Sequence, residues 1–514
     1  MPLRNRATAA ATAALAAAAV AAPLLLAGPA TAAPSPAQQG NKLSRTLVKG
    51  ATAKDAFRHL KVFQAIADRN DGTRVAGSAG HDMSVAYIEA LMKAAGYKVE
   101  RQAFDYVYTE TIAEKLQVVS PSPREVPIKL MTYTASGPEG GITAPLAALP
   151  AGSATGCEAD DYASDTFTGK IALIKRGTCS FAQKQAAAAD AGAVGAVIYN
   201  NTDGALNGTI GDPEAGRIPT GGVSMADGEA LAAEAAQGGV EVTLDIRELR
   251  EDRTTYNLTA ETRGGSADRT VMLGAHLDSV SEGPGINDNG SGSAGLVEVA
   301  MELAKSKAKP ANKVRFAWWS AEEFGLLGSE AYVAGLSEEQ RAQIKLYLNF
   351  DMIASPNAGY FVYDGDDSDG VGAGAGPEGS AQLERGITDF LDSKSIPHEG
   401  TDFTGRSDYG PFIEIGIPSG GTFTGAEGIK TPEQAAKFGG EAGVAYDPCY
   451  HQACDDIDNV DMKAFDVNVD VIADAVGRYA HDISTLSEPV ESVPTDGDAG
   501  SGGGLHDGHG RVTE

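Results

Sequence analysis

Residues 314–329 read VRFAWWSAEEFGLLGS, with the carboxylates Glu322 and Glu323 side by side where an apolar, strand-like run ends. Adjacent like charges in a half-buried place are costly unless something compensates them. Residues of similar chemistry stand at other expected strand ends. GAHLDSV holds His276 and Asp278 two apart, on one side of an extended chain. Asp288 follows in the Gly-rich turn GINDNGSG, Asp351 ends LNFDM, and His451 lies far downstream in CYHQACDD. Two imidazoles and several carboxylates without thiolates suit zinc, with manganese or cobalt as lesser options. Taken singly, His276 reads as a core histidine, Asp288 as a helix N-cap, the glutamates as caps and Asp351 as a strand terminus. Their joint occurrence at successive ends of one sheet is what points to a metal site, because a sheet gathers its strand ends in one crevice.

The segments that must position these groups alternate between strand and helix patterns. RTVMLGAHLD, KVRFAWWS and KLYLNFDM are apolar, strand-like runs, and SAGLVEVAMELAKS between them has helical periodicity. Such alternation predicts an α/β fold with a mixed, mostly parallel sheet covered by helices on both faces. Two helical patterns, AFRHLKVFQAIADR and HDMSVAYIEALMKAAG, lead into a short strand, YKVERQAF. Between them and the metal-type residues the chain becomes rich in Gly, Ala and Thr. There GKIALIKRG, AQKQAAAADAG and AVGAVIYNN spell strand, helix, strand, a smaller α/β insert without evident catalytic groups. The expected division is a signal peptide at 1–33, a catalytic domain in two parts at 41–112 and 251–486, the insert at 113–250, and a disordered tail at 487–514. The tail's His506 and His509 read as solvated rather than as metal ligands.

The first residues, MPLRNR, precede an Ala-rich apolar run ending near Leu26 and the small-residue stretch GPATAAPS, the layout of a cleaved secretory signal. No later segment is apolar for long enough to span a bilayer, so a secreted protein without membrane attachment is expected. Net charge is −29, or about −31 without Arg4 and Arg6, which disfavours nucleic acid and anionic membranes as partners. Four cysteines in an oxidising compartment suggest two disulfides, most simply Cys157–Cys179 and Cys449–Cys454. A Cys-ligated zinc is disfavoured because no CxxC occurs.

GAHLDSV, GINDNGSGSAG, WWSAEEFGLLGS, LNFDM, GRSDYGPF, GGTFTGAEG and DPCYHQACDDIDN together resemble the dizinc aminopeptidases of metallopeptidase family M28, particularly the secreted actinobacterial leucine-type enzymes. The insert resembles a protease-associated (PA) domain. The resemblance implies that Asp288 bridges two zinc ions, with His276 and Asp351 completing one ion's ligands and Glu323 and His451 the other's. It implies Asp278 as the partner of the His276 ring, Glu322 as general base for the attacking water, and Tyr450 as a donor to the developing oxyanion. The resemblance implies a substrate-binding role for Arg406, whose plain alternative is a surface salt bridge, and Phe423 is a candidate to line an apolar side-chain pocket, whose plain alternative is a core aromatic. Asp466 and Asp470 match positions that hold calcium in some relatives, although the aspartate that would complete that site has no counterpart near Lys49–Ala51. The expected enzyme is a monomer acting on peptides with a free N-terminus.

Rival chemistries fit less well. No G-x-S-x-G occurs, against a serine hydrolase, and His398–Glu399 opens HEGTD without the second histidine of H-E-x-x-H. A glutaminyl cyclase or a carboxypeptidase could reuse the same sheet and ions. Against them stand Asp288 and the motifs around Arg406 and His451. A non-catalytic peptide-binding relative would be expected to have lost ligands, and none is missing.

Overall fold

The computed structural model describes residues 33–149, 155–162 and 166–490. The expected signal peptide, apart from Ala33, and the expected tail beyond residue 490, with His506 and His509, lie outside the described residues. From Pro36 onward the chain forms one unit.

Helix α1 (Pro36–Gly50) comes first, an element the sequence patterns did not suggest. Helices α2 (Ala53–Ala67) and α3 (Ala79–Ala95) follow. Each opens on a hydroxyl cap, Thr52 accepting from the Asp55 N–H and Ser78 from the His81 N–H, and α3 stops at the left-handed Gly96. The segment expected as a short strand is instead the start of β1 (Lys98–Ser120), which runs antiparallel to β2 (Glu241–Glu261) along its length. This pairing carries the ribbon past the catalytic layers, with the insert at its far end. The expected insert boundaries fall inside this ribbon, where Ala113 faces Arg247 and Thr109 faces Arg250.

The catalytic sheet continues with β3 (Ser266–His276), β4 (Asn312–Trp319), β5 (Ile344–Phe350), β6 (Phe361–Tyr363), β7 (Glu399–Thr401) and β8 (Ser419–Phe423). Its order is β7-β6-β8-β5-β3-β4-β2. β3, β4, β5 and β8 are parallel, β2 runs antiparallel to β4, and β6 runs antiparallel to β8 and parallel to β7. The expectation of a mixed, mostly parallel sheet with a smaller α/β insert is therefore met. Helices α4 (Gly292–Ser306), α5 (Leu327–Ala334) and α6 (Met462–Tyr479) complete the elements around the site.

Strand periodicity decides which side chain enters which layer. Trp318 packs with Phe63, Val85, Leu296 and Phe465 beneath the helices of one face, and its neighbour Trp319 packs with Tyr347 and Phe412 on the other. Tyr347 and Phe412 stack with ring centres 3.9 Å apart. Two buried faces explain why the central strands read as continuous apolar runs. The insert has its own cores on both sides of a small sheet, one around Phe167, Phe181 and Ile198, the other around Leu173, Val197 and Leu231.

Candidate metal centre

His276 is the last residue of β3, Glu322 and Glu323 follow β4 by a short turn, and Asp351 immediately follows β5. Since β3 lies between β4 and β5, these three carboxyl ends bring the groups to one crevice. Asp288 comes from the turn Ile286–Ser291 that opens α4, and His451 from the loop before α6.

The bond distances divide the donors into two sets that share Asp288. His276 Nε2 lies 3.1 Å from Asp288 Oδ1 and 3.3 Å from Asp351 Oδ1. His451 Nε2 lies 3.2 Å from Asp288 Oδ2 and 3.1 Å from Glu323 Oε2. Each imidazole thus faces a different oxygen of the same carboxylate. Glu322 stands further out, its Oε2 4.0 Å from His276 Nε2. Behind them, Asp278 Oδ1 accepts the Glu322 backbone N–H at 3.3 Å and faces His276 Nδ1 at 3.7 Å.

The Asp288 turn is held by its neighbours in sequence. Asn289 donates to the Phe350 carbonyl and accepts from the Gly292 and Met352 N–H groups, tying the turn to the end of β5. Asn287 donates to Ser355 and Asp447 and accepts from the Ala354 N–H. Asp455 accepts the backbone N–H groups of Asn287 at 2.8 Å and Asp288 at 3.0 Å. Ser407 donates to Asp351 Oδ2 at 2.5 Å, leaving Oδ1 turned toward His276. Asn287, Asn289, Ser407 and Asp455 lie inside motifs quoted for other residues, and only the fold shows their partners.

Burial pushes the Glu322 carboxyl well above its ordinary range, against the opposing pull of His276, with Asp351, Asp408 and Glu323 adding to the rise. Glu323 is pushed up to about 7 by burial, and Asp408, fully buried nearby, to about 8. Burial would raise Asp288 too, but hydrogen bonds from His276 and His451 hold it well below its usual range. Buried Glu323 Oε1 and Asp351 Oδ1 have no hydrogen-bond donor. Carboxylates so crowded are stabilised by protons or by metal cations, and two imidazoles offering Nε2 among them favour cations. The distances agree, because donors around one tetrahedral ion at zinc's bond lengths stand about 3.3 Å apart. The residues fit a metal centre.

The remaining expected groups separate into those near the centre and those away from it. Tyr450 stacks on His451 at 3.8 Å, and its hydroxyl accepts from Arg406 Nη2 at 3.3 Å. Arg406 also pairs with Glu427 at 3.1 Å. Phe423, at the end of β8, packs 6.3 Å from Phe361 in an aromatic group that includes Phe438 and Tyr446. Both disulfides form as expected, Cys157–Cys179 in the insert and Cys449–Cys454 around the loop of Tyr450 and His451. The calcium expectation is not supported. Ala53 N–H donates to Asp466, Lys394 Nζ lies 3.4 Å from Asp470, and the pair joins no cluster of three metal-type side chains among the described residues.

Known proteins resemble this chain in sequence and in fold. The profile of Peptidase family M28 matches residues 257–476, and that of the PA domain residues 142–231. Leucine aminopeptidase 2 of Trichophyton tonsurans is 46% identical over 432 residues, covering 84% of each chain. An aminopeptidase of Pseudomonas aeruginosa strain PAO1 is 46% identical over 435 residues, covering 82% of this chain and 80% of that one. Among solved structures, an aminopeptidase from Aneurinibacillus sp. strain AM-1 superposes with TM-score 0.68 at 28% identity, covering 87% of this chain and 98% of the other. BSAP, a zinc aminopeptidase from Bacillus subtilis, superposes with TM-score 0.57 at 27% identity, covering 83% and 94%.

Proposed function

The chain belongs to peptidase family M28 and is an aminopeptidase; we propose that it is a secreted, two-zinc enzyme that removes N-terminal residues, bulky apolar ones such as leucine foremost, with Glu322 as general base. The observation that carries this reading is the division of Asp288's two oxygens between His276 and His451, each set closed by a further carboxylate, Asp351 or Glu323. The Bacillus neighbour, titled a zinc aminopeptidase, supports the choice of metal, and the leucine aminopeptidase relatives support the side-chain preference. Secretion is supported by two disulfides. No helix among the described residues is long and apolar enough to cross a membrane.

His276, Asp288 and Asp351 would hold one ion, and His451, Asp288 and Glu323 the other. Bound there, the ions would polarise the scissile carbonyl and lower the pKa of the attacking water. Glu322, beside but outside both sets, takes a proton from that water and delivers it to the leaving amine. Asp278 holds the Glu322 backbone by a hydrogen bond and faces the His276 ring at 3.7 Å. Because Arg406 donates to the Tyr450 oxygen, the tyrosine's own proton is available to the oxyanion.

The test is hydrolysis of leucine p-nitroanilide and its N-acetylated form by the purified protein, before chelation, after it and after zinc is restored. Turnover is expected only for the free amine, lost with the chelator and regained with zinc. No turnover of any free-amine substrate by zinc-loaded protein would turn the reading toward cyclase or carboxypeptidase chemistry.

The insert is proposed to narrow access for longer peptides. Tyr133, Gly211 and Pro213 of the insert line one cleft with Leu327, Glu330 and Ala334 on or beside α5 and with the near end of the ribbon. Phe324, next to Glu323, packs on ribbon residues Tyr106 and Tyr108 at 5.3 and 5.4 Å. Deleting the insert by a tight turn joining Thr109 to Arg250, which already face each other, is expected to spare dipeptide turnover. Turnover of longer peptides should then rise several-fold relative to it, and an unchanged ratio would dismiss gating.

A further inference from the structure

We propose that Arg74 is a positioning residue of the metal centre, joining the chain at the end of β3, which carries His276 and Asp278, to the turn that carries Asp288 by donating to backbone carbonyls of both. This rests on the metal-centre reading above and extends it to a residue outside the strand-end motifs.

Arg74 lies between α2 and α3, and its side chain is completely buried. Its Nε donates to the Pro284 carbonyl at 2.8 Å, Nη1 to the Leu277 carbonyl and Nη2 to the Gly285 carbonyl. Leu277 is the residue between His276 and Asp278, whereas Pro284 and Gly285 lead into Asp288. The backbone N–H of Arg74 adds a bond to Ser279 Oγ at 2.9 Å. One planar fork therefore sets the separation of the two segments whose side chains meet at His276 Nε2 and Asp288 Oδ1. The segments themselves pack closely. A Cβ on Gly285, whose φ is +61°, would stand 2.6 Å from Ser279 Cβ and 2.3 Å from the Asp288 carbonyl oxygen.

The guanidinium suits this place for two reasons. Its donors diverge in a rigid plane, so three carbonyls can be met at once without further loss of side-chain freedom; a lysine ammonium is a single point on a flexible stem. The Phe63 ring, 5.3 Å from the guanidinium carbon, covers it from the helical layer. Among the described residues no carboxylate forms an ion pair with Arg74, so its hydrogen bonds go to the frame of the centre and not to the ligands. Partners that orient ligands commonly govern metal affinity by roughly 10- to 100-fold. The conformation they hold is the one into which the ions must fit.

The experiment compares full-length wild-type protein with Arg74→Lys, Arg74→Met and Ser279→Ala. Zinc affinity is measured by competition with a chromophoric chelator, melting is followed with and without zinc, and kcat and KM are measured at saturating zinc. Arg74→Met is expected to bind zinc about 100-fold more weakly and Arg74→Lys about 10-fold. Ser279→Ala should show a smaller loss in the same direction, and kcat should fall more than KM rises. A purely structural arginine would lower melting equally with and without zinc and leave the affinity of folded protein untouched; that result overturns the proposal. If both Arg74 variants fail to fold, Ser279→Ala decides, and wild-type zinc affinity in it overturns the proposal equally. Wild-type protein that bound no zinc would overturn the metal-centre reading and this inference with it, whereas normal wild-type binding with unaffected variants overturns the inference alone.

Discussion

Replacing Glu322 with glutamine is expected to lower kcat for leucine p-nitroanilide by about 1,000-fold, with zinc content and KM little changed, since a positioned general base commonly contributes roughly 100- to 10,000-fold. The substitution is nearly isosteric, so the turn after β4 and the Asp278 bond to the residue 322 backbone remain. What is lost is the ability to accept a proton. The separation in roles follows from geometry: Glu323 meets His451 at 3.1 Å, whereas Glu322 stays 4.0 Å from the nearest imidazole nitrogen. Glutamine at 322 should therefore leave both donor sets intact. The corresponding change at Glu323 should instead remove metal. Parallel zinc analysis and kinetics on the two variants would distinguish them, and zinc loss from Glu322→Gln would refute the assignment of base and ligand.

The second large effect is expected from Asp288→Asn, which should cost both ions and with them nearly all activity. Asp288 is within reach of both imidazoles, at 3.1 and 3.2 Å. An amide keeps the shape of the carboxylate but not its charge or its second acceptor oxygen. Chelation of the wild-type protein should reproduce the inactivity and also lower thermal stability. A ligand present at a thousand times its dissociation constant stabilises the folded state by about 4 kcal/mol. Its removal also leaves the crowded carboxylates of Asp288, Glu323 and Asp351 with only protons to offset them. Calorimetry on metal-loaded, chelated and Asp288→Asn proteins checks both statements. A melting temperature indifferent to chelation would mean that no ion is seated there.

Some of this protein could be read without its fold. Metal-type residues at the ends of apolar runs announce themselves because few side chains bind cations and burying them elsewhere is costly. The layered α/β architecture was legible for a similar reason, as strands covered on both faces lose polar alternation while the helices between them keep theirs. The insert's strand, helix, strand order was visible in GKIALIKRG, AQKQAAAADAG and AVGAVIYNN, which became Ile171–Lys175, Phe181–Asp190 and Gly195–Tyr199. The length of the ribbon was not. YKVERQAF carries no signal that the strand runs on to Ser120, because the partner that extends it, Glu241–Glu261, lies far along the chain. Helix α1 escaped notice for a related reason, its burial depending on packing against α6 at the other end of the sequence.

By itself, then, the sequence determined which side chains can hold ions and which segments would bring them to one crevice, because donor chemistry and hydrophobic periodicity are local properties. Only the tertiary structure decided how Asp288 divides its oxygens, which glutamate faces an imidazole, and that Asn287, Asn289, Ser407, Asp455 and Arg74 hold the frame. Those are polar groups whose partners lie mostly tens to hundreds of residues away. A hydrogen bond is satisfied by position in space, and separation along the chain carries almost no trace of it.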